Sequence, residues 1–157
     1  MERRVRERRW IYLSTIVSRV GSANNRGLSI ASISFNATQM IAIVDDDEAV
    51  RRAMGSLLRS LGHSVAAFDS AEAFLESGQV SSTTCLITDV QMPGMSGLDL
   101  QKRLIADGHR IPVIFLTGFP DENVRIRALK AGALAFLSKP FDQPELAEHL
   151  EKALKAN

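Results

Sequence analysis

The chain has 157 residues, 45% hydrophobic and 24% charged, the balance of an ordinary globular domain rather than of a disordered or collagen-like polypeptide. Its single cysteine, Cys85, excludes an intramolecular disulfide and a Cys-rich zinc site, and no apolar stretch approaches the ~20 residues that span a bilayer. The net charge of +1 conceals two unlike parts: residues 1–39 carry seven Arg against Glu2 and Glu7, while residues 40–157 carry twelve Lys and Arg against sixteen acids.

Residues 1–39 open on clustered arginines, pass through a short apolar patch from Trp10 to Val17, and continue as a Ser/Asn/Gly/Ala mixture without a sustained period. They read as a basic extension, expected to be disordered, with Met40 standing where a compact domain would begin. A secretory leader is a poorer reading, because Arg19 falls near where cleavage would be expected. Arginines attract phosphate, so an arm on nucleic acid or acidic lipid is physically open, but no recognition helix, zinc module or interleaved aromatics accompany it. Neither nucleic acid nor membrane is expected as a direct partner, and a cytoplasmic setting is.

From Met40 onward the pattern is regular. The run Ile41 to Val44 predicts a strand, and in the following EAVRRAMGSLLRSLG the residues Val50, Met54, Leu57 and Leu61 recur at helical spacing until Gly62 stops them. Arg51, Gly55 and Arg59 then fall on the opposite, exposed face, where a protein partner could dock. Ser64 to Phe68 predicts a second strand, Ser70 caps a short helix, and Thr84 to Thr88 predicts a third strand. SGLDLQKRLIA is an amphipathic helix, with Ser96 or Gly97 near its N-cap. Pro112 to Thr117 predicts a fourth strand, Asp121 caps a helix that Gly132 stops, ALAFLS predicts a fifth strand, and Pro144 sits in the first turn of the last helix. Five βα units imply parallel strands, since a parallel crossover needs a helix-length connection. Strands covered on both faces read as solid apolar runs, as these do. The expected fold is a doubly wound, flavodoxin-like α/β sandwich, whose ligands bind at the carboxyl ends of the strands.

At those ends stand Asp45 and Asp46, then Asp89, Thr117 and Lys139. Carboxylates brought together repel unless something positive joins them, and an all-oxygen set without histidine or thiolate suits Mg²⁺. Asp47 and Glu48 read as acids favoured at a helix start. His63, His109 and His149 are scattered and read as surface residues. A carboxylate, a divalent ion, an ammonium and a hydroxyl together suit phosphoryl transfer, with Asp89 as nucleophile because it is alone on its strand.

These motifs resemble those of the response-regulator receiver (CheY-like) family of two-component signalling. IVDDDEAVR, LITDVQMPGMSGLDL, FLTG and FLSKPF are similar to that family's motifs in order and spacing across residues 40–155. The resemblance implies a five-stranded parallel sheet of order 2-1-3-4-5, in a receiver domain over residues 40–157. It implies Asp46 and Asp89 as direct Mg²⁺ ligands, Asp45 as a ligand through water, and Gln91 as the residue whose main-chain carbonyl completes the shell. Asp89 resembles the phosphoacceptor, charged by a sensor histidine kinase or phosphotransfer protein, and Thr117 and Lys139 resemble the pair that grips the phosphoryl oxygens. Phe136 matches an aromatic switch position, and the lysine-proline bond Lys139-Pro140 is commonly cis in the family. Phe119, two residues beyond Thr117, would border the path of hydrolytic water and lengthen the life of the phosphoryl group.

The expected function is that of a stand-alone receiver, signalling through the face formed by the last two helices and the last strand to an output partner protein. It is expected to catalyse only its own phosphorylation and dephosphorylation, and not to be an enzyme in the ordinary sense. Two alternatives are an interaction module that takes no phosphate and an aspartate-nucleophile phosphatase, for which Asp45-x-Asp47 supplies the acids but Glu48-Ala49 do not fit.

Overall fold

The computed structural model describes residues 39–156; the expected basic extension, apart from Gln39, lies outside the described residues. In chain order come β1 (Met40–Val44), α1 (Glu48–Ser60), β2 (Ser64–Phe68), α2 (Ala71–Glu76), a 3-10 turn (Val80–Ser82), β3 (Thr83–Thr88), α3 (Gly97–Ala106), β4 (Val113–Thr117), α4 (Glu122–Lys130), β5 (Ala135–Ser138) and α5 (Gln143–Lys155). The strands form one parallel sheet of order β2-β1-β3-β4-β5. The expected fold and strand order are therefore present.

Local chemistry accounts for where most helices begin. Asp47 accepts from the Ala49 and Val50 N–H groups, Ser70 from Ala73, Ser96 from Asp99, and Asp121 from Asn123 and Val124. Each side chain satisfies donors that the first helical turn leaves without a partner.

The apolar strands split their side chains between two cores. Ile41, Ile43, Ile87, Ile114 and Leu116 pack with Met54 and Leu58 of α1 and with Leu146, Leu150 and Ala153 of α5. Ala42, Val44, Leu86, Val113 and Phe115 pack on the other face with Phe74 of α2, Leu100 and Leu104 of α3 and Ala128 of α4. Alternate residues of one strand thus supply both cores, because side chains on a strand point to opposite faces. Truncating a fully buried member such as Leu58 to Ala would cost roughly 2–5 kcal/mol.

Four expectations need correction. Leu61, read as the last residue of the apolar stripe of α1, is 50% exposed, because the helix ends at Ser60 and Leu61 is its C-cap. Gly55, expected on the exposed face, is buried, with the Arg59 guanidinium folded over it. Arg51, expected beside it, is half-buried and donates from a guanidinium nitrogen to the Asp45 carbonyl at 2.7 Å, so it is tied to the end of β1 rather than free for a partner. His63, His109 and His149 are half-buried rather than at the open surface.

Candidate phosphoryl-acceptor site

Parallel register carries the polar residues to one edge. Val44 pairs with Thr88, which places Asp45 and Asp89 side by side just past the ends of β1 and β3, and the Asp89 N–H donates to the Val44 carbonyl at 3.0 Å. Thr88 pairs with Phe115 and Thr117 with Ser138, so Thr117 ends β4 and Lys139 follows β5 directly. The Lys139 N–H donates to the Thr117 carbonyl at 2.8 Å. Between β1 and β3 the strand order reverses, the position where ligands enter such sheets.

The Lys139 ammonium spans the two carboxylates, donating to Asp45 Oδ2 at 2.8 Å and to Asp89 Oδ2 at 3.2 Å. Their other oxygens are held by the backbone: Asp45 Oδ1 accepts from the Asp47 N–H at 2.9 Å, and Asp89 Oδ1 from the Gln91 N–H at 3.2 Å. Burial pushes the lysine toward losing its proton, but the hydrogen bond and charge of Asp45, and then of Asp89, outweigh that and raise its pKa. The side chain therefore stays cationic where it is needed.

Asp45, Asp46 and Asp89 each offer a carboxylate oxygen within 4.8 Å of the others, and no other such group of His, Cys, Asp and Glu occurs among the described residues. Three negative charges against one ammonium leave a deficit of two positive charges, which a divalent cation would balance. The donors are all oxygen, with Asp46 exposed and Asp45 buried, so one ligand faces solvent while another is anchored in the fold. The set fits Mg²⁺ by charge and by donor type.

Thr117 is fully buried, and its Oγ1 accepts from the Phe119 N–H at 3.2 Å. Phe119 itself is 74% exposed beside it. Phe136 is half-buried, its ring 6.0 Å from that of Phe115. The Lys139-Pro140 bond is cis, as the resemblance implied. Asp47 serves as the N-cap of α1 and stands outside the acidic cluster, in keeping with its reading as a helix-start acid. Burial pushes the Cys85 thiol up to about 12, which removes it as a nucleophile.

Two features of the site were not legible in the residue pattern. Gly97 has no room for a Cβ, which would collide with the Asp89 carbonyl and crowd the Phe115 ring. Its N–H donates to the Val90 carbonyl at 2.9 Å, so the start of α3 is pressed against the strand end that bears Asp89. Glu72 of α2 accepts from the Met95 N–H at 2.8 Å, across 23 positions of sequence. A first-turn acid and a glycine near an N-cap have ordinary local explanations, and nothing local signals these long-range contacts.

A doubly wound parallel sheet with an acidic triad, a hydroxyl and an ammonium at its switch point defines a CheY-like receiver. Residues 41–151 match the response regulator receiver domain, and the chain belongs to that family of two-component signalling domains. It is 48% identical over 116 residues to the response regulator protein TodT of Pseudomonas putida, covering 74% of this chain and 51% of TodT. Among solved structures it is similar to FixJ-N, at 37% identity and a TM-score of 0.68 over 74% of this chain and 94% of that one. The response regulator StyR matches at 42% identity and a TM-score of 0.72, over 76% of this chain and 61% of that one. The chain spans about half the length of the curated relatives it matches. Among the described residues, no helix is long and apolar enough to cross a membrane.

Proposed function

We propose that Asp89 accepts a phosphoryl group from a phosphohistidine on a sensor kinase or phosphotransfer protein, with Mg²⁺ held by Asp45, Asp46, Asp89 and the Gln91 carbonyl. The observation that carries this reading is the Lys139 ammonium placed between Asp45 and Asp89. It holds a carboxylate nucleophile in place and offers a positive charge where phosphoryl oxygens would lie. Bound Mg²⁺ would neutralise charge on the transferring group. Asp89, steadied by the Gln91 N–H, attacks phosphorus as the donor's P–N bond breaks, and the departing imidazole takes up a proton. The Thr117 hydroxyl, now accepting from the Phe119 N–H, has its own proton to donate to a phosphoryl oxygen.

The output is a changed surface rather than a released product, and the chain turns over no separate substrate. Thr117 drawn toward the phosphoryl group vacates space toward which Phe136 turns, shifting the face of α4, β5 and α5 toward a form that an output partner reads. The packing of α4 suits this part, because Ala128 is its single buried residue and little apolar burial opposes its movement. We assign this function to the receiver unit, in a cytoplasmic setting.

Incubation with acetyl phosphate and Mg²⁺, followed by intact mass and a Phos-tag gel, tests the reading. The parent gains one phosphoryl group and Asp89→Asn gains none. An unlabelled parent would favour an interaction module that takes no phosphate, and equal labelling of the variant would move the acceptor elsewhere. Turnover of a generic phosphate ester would favour the phosphatase alternative.

A further inference from the structure

The segment of residues 89–96 links the end of β3 to α3, and on the reading above it carries the carbonyl that completes the metal shell. Its own sequence ties down its ends: Gln91 donates to Asp89, and the neighbouring Gly97 N–H donates to the Val90 carbonyl. Met92 and Met95 rest partly buried on the second core. The turn between them needs Gly94, whose φ of +76° lies in the left-handed region that side chains avoid.

The polar contact that another element makes with this turn comes from Glu72. Its carboxylate accepts from the Met95 N–H at 2.8 Å and also occupies the space on the open side of Gly94, where a Cβ would lie only 2.8 Å from Oε1. The missing side chain of Gly94 is thus what allows the carboxylate to reach over the turn. Glu72 is half-buried and sits in the first turn of α2, where a carboxylate is also favoured by the helix dipole. The dipole would be served by a carboxylate facing water. The observed one is turned to a neighbouring loop in a hydrogen bond of the stronger, charge-assisted kind.

We propose that Glu72 is a positioning residue of the phosphoryl-acceptor site, which grips the Met95 N–H and sets the turn that presents the Gln91 carbonyl. The proposal rests on the Mg²⁺ reading for its purpose, though not for the contact itself. Two conservative variants separate positioning from a dipole effect. Glu72→Gln keeps the reach and the acceptor oxygen but loses the charge. Glu72→Asp keeps the charge at the helix start but is one methylene too short.

Positioning requires Gln to resemble the parent and Asp to fail, whereas a dipole role requires the reverse. The first readout is hydrogen exchange of the Met95 amide in metal-free protein. We expect it to be roughly ten- to a hundredfold faster in Glu72→Asp, the range set by losing one hydrogen bond to a charged acceptor, and to stay much nearer the parent rate in Glu72→Gln, which keeps a neutral acceptor in reach. The second is Mg²⁺ affinity by calorimetry, expected to weaken several-fold in Glu72→Asp and to be rescued in Glu72→Gln. Unchanged Met95 exchange in Glu72→Asp overturns the contact. Faster exchange with unchanged Mg²⁺ affinity overturns its link to the site. A parent that binds no Mg²⁺ and takes no phosphoryl group defeats the underlying functional reading, while the exchange result still decides whether Glu72 holds the turn.

Discussion

Replacing Lys139 by Met removes the ammonium that spans Asp45 and Asp89 while keeping most of the apolar stem. In the parent the side chains of Lys139, Asp45 and Asp89 are 22%, 4% and 12% exposed. Two enclosed carboxylates would lose their counter-charge, and breaking a buried ion pair from one side costs roughly 3–5 kcal/mol. Water reaches part of the lysine and screens the interaction, so we expect about 2–3 kcal/mol in metal-free buffer at neutral pH. With a urea slope of about 2 kcal/mol per M, the unfolding midpoint falls by roughly 1–1.5 M. Mg²⁺ supplies the missing positive charge and should stabilise Lys139→Met more than it stabilises the parent. Equilibrium urea unfolding, in chelator and in Mg²⁺, measures both effects. A variant as stable as the parent in chelator, or one that gains no more from Mg²⁺ than the parent, refutes the reasoning. The pH dependence carries a sign as well. The lysine pKa is raised from 10.5, so its contribution is complete below that value and is lost only as pH rises through the higher folded-state value. Between neutral pH and about 10 the gap between parent and variant should therefore not shrink through titration of this lysine.

Phe119→Ala opens the rim beside Thr117, and the aspartyl phosphate should hydrolyse several-fold faster when loss of label is followed after removal of acetyl phosphate; a rate no faster than the parent's sinks the idea that the ring hinders water. Gly97→Ala drives a methyl group into the Asp89 carbonyl and crowds the Phe115 ring, so it should cost about 1–3 kcal/mol in urea unfolding and slow labelling by acetyl phosphate. Retention of both the parent midpoint and the parent labelling rate would contradict that geometry.

The order of elements was legible in the residues because a buried parallel strand and an amphipathic helix leave different apolar periods, and because Asp47, Ser70, Ser96 and Asp121 mark helix starts by chemistry that acts within one turn. The acidic residues, Thr117 and Lys139 could be named for the same reason: each stands where an apolar run ends, and in a parallel sheet those ends share an edge. At a helix end the apolar period misleads: Leu61 keeps the spacing of the stripe although α1 has already stopped at Ser60. Helical spacing tells which face Arg51 occupies but not what its long side chain reaches, here the Asp45 carbonyl.

The α/β class, the order of strands and helices, and the residues that end the apolar runs can be read from the residues alone, because local periods and caps are written within a few positions of one another. Tertiary structure alone decided that Lys139 spans both Asp45 and Asp89, that Gly97 is pressed against the Asp89 carbonyl, and that Glu72 holds the turn after β3. Those contacts join residues far apart in the chain or on different elements, and they depend on strand register and helix docking, which no local pattern records.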